Sequence, residues 1–238
     1  MPYTKRFDGR KDDELREMQA KVGVIKNADG SAMFCFGKSK AIAAVYGPRI
    51  LHPQHLQNPT KARLKCIYDM LSFSVNERKR PGPNRRSSEI SLIIEKSLSP
   101  VINLNQFPQN TIDVYIQIIE ANASTRTAGI NAASLALAHA GIPMSDLVCS
   151  VSVGKIGGKL VVDLTKDEED FEEKGKKYAT DIPMTYIPRL DKFSMLQLDG
   201  NISRDELLQA MQMARKVSKQ IHDVQIKALK DVYKDKAI

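Results

Sequence analysis

Between residues 111 and 141 the chain sets two segments end to end that leave few folds open to it. Residues 111–119 alternate aliphatic positions (Ile112, Val114, Ile116, Ile118) with others, the period-two pattern of a strand. After a short polar loop, Ile130-Asn-Ala-Ala-Ser-Leu-Ala-Leu-Ala-His-Ala-Gly141 is small and apolar almost all round. A helix without a polar face cannot sit at a surface, and small side chains let it lie close against a sheet. Gly141 followed by Pro143 stops it. The unit therefore predicts a layered fold in which a buried helix packs on a sheet.

The rest of the chain supplies the other layers. Residues 21–36 read as a hairpin turning at Asn27-Ala-Asp-Gly-Ser31, and residues 40–46 as a strand ended by Gly47-Pro48. Residues 49–62 read as a long irregular loop, and residues 64–75 as another strand. Ile90, Ile93, Ile94, Leu98 and Val101 recur at helical spacing over 87–104, with Ser87 or Ser88 placed to cap the start. A second hairpin spans 147–164 around Gly157-Gly158, and short strands follow near 184–187 and 193–198. The last element is a helix over about 204–232. Ser203-Arg-Asp-Glu206 is its capping box, and Leu207, Leu208, Met211, Val217, Ile221, Val224 and Ala228 mark its expected buried face. Strands and helices interleave without a linker, so the expectation is a single α+β domain over 1–238.

No apolar run approaches the roughly 18 residues a membrane helix requires, and the polar N-terminus lacks a secretory pattern. A cytoplasmic protein is the expectation. Cys35, Cys66 and Cys149 fit neither a zinc pattern nor a disulfide framework and read as buried thiols. His52, His55, His139 and His222 include no pair at metal spacing within a helix. The formal net charge of +8 favours a polyanionic partner, and its distribution is uneven. Residues 77–86 read Glu-Arg-Lys-Arg-Pro-Gly-Pro-Asn-Arg-Arg, five cations in a segment that prolines keep from being helical, while residues 163–173 are strongly acidic.

The chemistry concentrates at Ser124-Thr125-Arg126-Thr127, where the polar loop enters the buried helix. The first turn of a helix leaves N–H groups unpaired and its dipole favours an anion. Hydroxyls from Ser124 or Thr125 and the Arg126 guanidinium would complete an oxyanion cradle. The simpler alternative is that Ser124 or Thr125 caps the helix and Arg126 is a solvated charge. Arg85 and Arg86 open another helix, so Arg86 would share an anion with Arg126 if the two helix starts lie side by side. Of the carboxylates Asp163, Asp167, Glu168, Glu169, Asp170 and Asp181, most are expected to be solvated and about two to serve chemistry, as proton donors or metal ligands. Asp181, just before an apolar strand, is the best placed.

These residues carry a resemblance. Arg6-Phe-Asp-Gly-Arg10 with Glu14-Leu-Arg16, Ala28-Asp-Gly-Ser31, Ala43-Ala-Val-Tyr-Gly-Pro48, Phe73-Ser with Glu77-Arg-Lys79, Arg85-Arg86, Glu120-Ala-Asn-Ala-Ser-Thr-Arg126, Ala140-Gly-Ile-Pro-Met144 and Gln197-Leu-Asp-Gly200 follow one another in a specific order. In this the chain resembles the ribonuclease PH-like exoribonucleases, and among them the catalytic ring subunits of the archaeal exosome. The resemblance implies a fold related to domain 2 of ribosomal protein S5. It also implies 3′→5′ phosphorolysis of RNA, with inorganic phosphate as co-substrate and nucleoside diphosphates as products.

By position, Arg86, Thr125 and Arg126 match the family's phosphate-binding residues, with Ser124 adjoining them. Arg85 matches a contact to the RNA backbone. Asp170 and Asp181 match paired aspartates serving as general acid and Mg2+ ligands. They stand eleven residues apart here, wider than in the family, so Glu172-Glu-Lys-Gly-Lys-Lys177 reads as an insertion, with Asp167 the rival to Asp170. In residues 60–68, Lys61, Arg63 and Lys65 match phosphate contacts along single-stranded RNA, and Tyr68 a base-stacking position. The implied partners are a related inactive ribonuclease PH-like subunit, in a trimer of heterodimers, and RNA-binding cap subunits. A homohexameric ribonuclease PH trimming tRNA 3′ ends and a non-catalytic RNA-binding ring subunit are the alternatives.

Overall fold

Two sheets enclose the apolar helix foreseen in the sequence. The computed structural model describes residues 5–173, 176–177 and 179–234. The first sheet takes the order β1-β2-β3-β5-β4, from strands β1 (Met18–Val22), β2 (Gly30–Phe36), β3 (Ser39–Ile50), β4 (Arg63–Met70) and β5 (Asn110–Glu120). All its pairings are antiparallel except β4 with β5. The second is the antiparallel order β11-β10-β6-β7, from β6 (Cys149–Ile156), β7 (Lys159–Val162), β10 (Thr180–Ile187) and β11 (Lys192–Leu196). A two-stranded ribbon, β8 (Glu172–Glu173) with β9 (Lys176–Lys177), falls in the segment read as an insertion.

Helix α1 (Arg85–Leu98) packs on β4, and α2 (Thr125–His139) lies against β2, β3 and β5 on one side and β6 and β10 on the other. That double contact is why α2 has no polar face: residues 127–137 are all buried. Gly30 lets α2 seat so deeply. A Cβ there would stand 2.3 Å from the Ala136 carbonyl oxygen. A four-residue helix, α3 (Lys166–Glu169), and the long α4 (Arg204–Lys234) complete the fold, and one hydrophobic core runs through both sheets. Among the described residues no helix is long and apolar enough to cross a membrane.

Several expectations shift. Strand β3 runs on through Gly47-Pro48 to Ile50, with a register irregularity between Tyr46 and Arg49. Gly47 adopts φ +116° there, close over the Thr111 carbonyl, so the glycine bends the strand instead of ending it. Strand β4 stops at Met70, five residues before the expected end. Helix α1 is capped by Asn84, not by Ser87 or Ser88. The Asn84 side chain accepts from Ser87 N (2.7 Å), and Ser87 Oγ accepts from Asn84 N (2.9 Å). The buried stripe of α4 is Ala210, Ala214, Val217, Ser218, Ile221 and Gln225, while Leu208 is exposed. Small and hydrogen-bonded residues hold that seam, with Gln225 Nε2 donating to Val148 O at 3.1 Å.

Candidate phosphate and carboxylate site

A cleft of about 560 Å³ opens where the starts of α1 and α2 meet the second sheet. Arg86, Ser124, Thr125 and Arg126 line one side, and Asp167, Glu169, Asp170 and Asp181 the other. Residues drawn from four parts of the chain thus converge on one space.

The α2 wall is built around an uncapped helix start. Ala123 and Ser124 both take left-handed backbone (φ 56° and 52°), which swings the chain from β5 into α2, and Ser124 makes no side-chain cap. The simple capping alternative is thereby removed. The first intrahelical bond runs from Ala128 N to Ser124 O, so the N–H groups of Thr125, Arg126 and Thr127 precede the ladder at the cleft. Tyr68 donates its hydroxyl to Thr125 Oγ1 at 3.1 Å, which leaves the Thr125 proton for another acceptor. Arg126 is steered by a bond from Nη1 to Gln197 Oε1, and its Nε is buried with no partner. A buried guanidinium N–H with no acceptor is a costly arrangement that an anion in the cleft would relieve.

On the facing wall, Asp181 is the second residue of β10. Its backbone exchanges two 2.9 Å hydrogen bonds with Asp199, and its carboxylate accepts from Ser152 Oγ. Burial pushes the Asp181 carboxyl up, and the nearby charges of Glu169 and Asp199 add to the rise. The Ser152 bond and the Arg126 charge only partly offset it. Asp170 lies in the same cleft and accepts from Lys166 Nζ at 2.9 Å. Of the carboxylates whose charges act on Asp181, Glu169 is the larger contributor, and the sequence did not single it out. No group of three or more His, Cys, Asp or Glu side chains able to hold a metal occurs among the described residues. A magnesium ion commonly rests on one or two carboxylates with substrate phosphates and water completing its shell. Of the carboxylates that line the cleft, Glu169 and Asp170, beside Asp181, would be the ones to hold such an ion.

The sequence matches RNase PH (3′ exoribonuclease family, domain 1) over residues 14–143 and domain 2 of the same family over residues 146–217. The chain belongs to the 3′ exoribonuclease family. Exosome complex component Rrp41 of Thermococcus kodakarensis is 51% identical over 229 residues, covering 96% of this chain and 90% of that protein. The Archaeoglobus fulgidus component of the same name is 45% identical over 227 residues, 94% of this chain and 86% of that one. The crystal structure of rice (Oryza sativa) Rrp46 matches with a TM-score of 0.81 at 23% identity, over 94% of this chain and all of that one, a likeness of fold. The expected ribonuclease PH-like α+β fold is the one found.

Within this 3′ exoribonuclease fold, three readings change. Tyr68 is only 3% exposed and bonded to Thr125, because inward positions of β4 alternate with outward ones; it supports the cradle and offers no face to a base. Ser124 lines the cleft, yet its hydroxyl donates to Asp163 Oδ1 at 3.2 Å, so its side chain is turned to the protein. Of the six carboxylates, Asp163 and Glu168 are buried in ion pairs, Glu169 and Asp181 are half-buried in the cleft, and Asp167 and Asp170 line it while exposed to solvent. Arg85 is exposed beside Arg86, and Lys61, Arg63 and Lys65 are exposed on β4 and the loop before it, outside the cleft lining. Sequence reasoning missed Ser152, which lines the cleft, and Gln197, which holds Arg126, and it named Glu169 only as one of six carboxylates. Gln197 stood in a quoted motif without a role, and Ser152 carried no signal at all.

Proposed function

We infer that this chain is a phosphate-dependent 3′→5′ exoribonuclease acting as a ring subunit of an exosome. The reading rests above all on one observation. An uncapped helix start, two arginines from separate helices and a partnerless buried Arg126 N–H face a carboxyl whose pKa is raised. Inorganic phosphate held by Thr125, Arg126, Arg86 and the first N–H groups of α2 is itself the nucleophile, so no Ser, Cys or His nucleophile is required. One of its oxygens forms a bond to the 3′-terminal phosphorus of the RNA, the P–O3′ bond breaks, and a nucleoside diphosphate leaves. Asp181, whose carboxyl is pushed up by burial and by its carboxylate neighbours, is the group placed to give a proton to the departing 3′ oxygen. The arginines hold two anions together against their repulsion, which is the main task of such a site. Glu169 and Asp170 would hold a magnesium ion beside Asp181, where it would supply further neutralisation of that charge.

Arg85, beside the phosphate cradle, contacts the RNA backbone, and Lys61, Arg63 and Lys65 form a cationic row for single-stranded RNA. Likeness to exosome components supports a ring with a related ribonuclease PH-like subunit, and RNA-binding caps and a cytoplasmic location are part of the same proposal. The test is to incubate the assembled ring with 3′-tailed RNA, magnesium and phosphate and to look for nucleoside diphosphates. No product from an intact ring, or full activity in Asp181→Ala, would overturn the assignment. Robust phosphorolysis by the chain alone would replace the mixed ring with a self-sufficient one.

A further inference from the structure

The motif Arg6-Phe-Asp-Gly-Arg10 and Arg16 take no part in the reaction just derived, yet they lie behind both walls of the cleft. Asp163, 1% exposed and itself at φ +56°, follows directly on β7. Its carboxylate accepts from Arg16 Nε (2.8 Å), Arg16 Nη2 (2.6 Å), the Arg16 backbone N (3.0 Å) and Ser124 Oγ (3.2 Å), and Arg10 Nη1 stands 3.5 Å away. Arg16 Nη1 reaches on to the Asn122 carbonyl at 2.6 Å. The Asn122 side chain accepts from Lys166 N at 3.0 Å, which ties α3 to the same loop. Arg6 closes the other side with a bidentate bond to buried Glu168 of α3, 2.9 Å at both contacts.

Two successive left-handed residues, neither of them glycine, persist only where their surroundings hold them. Here the holding groups are Arg16, Asp163 and Ser39, whose hydroxyl donates to Ala123 O at 2.7 Å. We propose that Asp163, gripped by Arg16 and Arg10, is a positioning residue for phosphate. Through Ser124 it fixes the left-handed turn that aims the first N–H groups of α2 and Arg126 into the cleft, in register with the carboxylates of α3. The proposal rests on reading the cleft as a phosphate site. It makes Ser124 a link in the clamp and not a ligand of the anion.

The test uses the full chain in its assembled ring. Phosphate binding is followed by equilibrium dialysis of radiolabelled inorganic phosphate, and turnover by nucleoside diphosphate release. Asp163→Asn is expected to raise both the Kd and the KM for phosphate about tenfold and Ser124→Ala about threefold, with the RNA KM unchanged. The double variant should be no worse than Asp163→Asn, because the two residues act through one link. A folded Asp163→Asn ring with wild-type phosphate Kd overturns the proposal. So do additive effects of the two substitutions, which would make Ser124 a direct ligand. If Asp163→Asn does not fold, Arg16→Lys takes its place. It keeps the charge and loses the fork, and an unchanged phosphate Kd there is equally fatal. A wild-type ring that binds phosphate but releases no nucleoside diphosphate sinks the catalytic reading alone, and dialysis still decides the clamp. A wild-type ring that binds no phosphate overturns both.

Discussion

At Asp181 the role proposed in the reaction and the stability of the fold turn on one carboxyl. Its carboxyl sits among Ser152, Glu169, Asp199 and Arg126 with its pKa raised, so the folded chain holds the proton more tightly than the unfolded chain does. Such a group favours the fold below its unfolded pKa, and that contribution is lost as pH rises through the folded value. Above the folded value the ionised side chain therefore works against stability. Asp181→Asn should lose at least about 100-fold in turnover. In chelator-containing buffer it should be no less stable than wild type at pH 8, with the difference shrinking towards pH 4, as followed by denaturant melts. Arg126 makes the complementary case. Its planar fork spans Gln197 and the cleft, which an ammonium cannot do. Arg126→Lys should raise the phosphate KM about tenfold with little change in the RNA KM, as read from initial rates against phosphate concentration.

The two helix starts that bear the arginines are set up in opposite ways. Helix α1 is closed by the Asn84–Ser87 capping box, which places Arg85 and Arg86 in its first turn. Helix α2 is left open at Ser124, and the energy of that open end is available to a ligand. What α2 lacks in capping it recovers in burial, since both sheets cover it. Gly30 is the tightest point of that packing. Gly30→Ala would drive a Cβ to 2.3 Å from the Ala136 carbonyl and 2.4 Å from Ala140 N, both backbone atoms that cannot swing aside. A loss of about 3 kcal/mol or more is expected, seen as an earlier midpoint in chemical unfolding.

Over the whole molecule, the N-terminal segment fastens elements far apart in sequence. Arg6 and Glu168 form an ion pair with both side chains fully buried, and Arg6 also bonds the carbonyls of Val162 and Asp163 at 2.8 and 2.9 Å. Removing one partner of such a pair strands the other charge, so Arg6→Met should cost about 3–5 kcal/mol. Because α3 bears Asp167 and Glu169 at the cleft, activity in folded Arg6→Met protein should fall as well. Comparing thermal melts with specific turnover separates the two effects.

Local pattern determined much of this protein. The β-branched alternation of β5, the all-round apolar α2 and the stripe of α1 were legible because strand and helix periods are local properties of the chain. The helix-start chemistry of Thr125, Arg126 and Arg86 was legible for the same reason, since unpaired N–H groups belong to any helix beginning with those residues. Tyr68 shows where the sequence stopped: its period placed it on a face of β4, but only the sheet order turned that face towards α1 and α2 and out of solvent. The roles of Asp163, Glu168, Glu169 and Gln197 were likewise decided by tertiary structure. A run of acidic residues looks alike in sequence whether it is solvated, salt-bridged or aimed at a substrate. What separates those fates is whether an arginine from more than a hundred residues away desolvates and pairs with a carboxylate, as Arg6 does with Glu168 and Arg16 with Asp163.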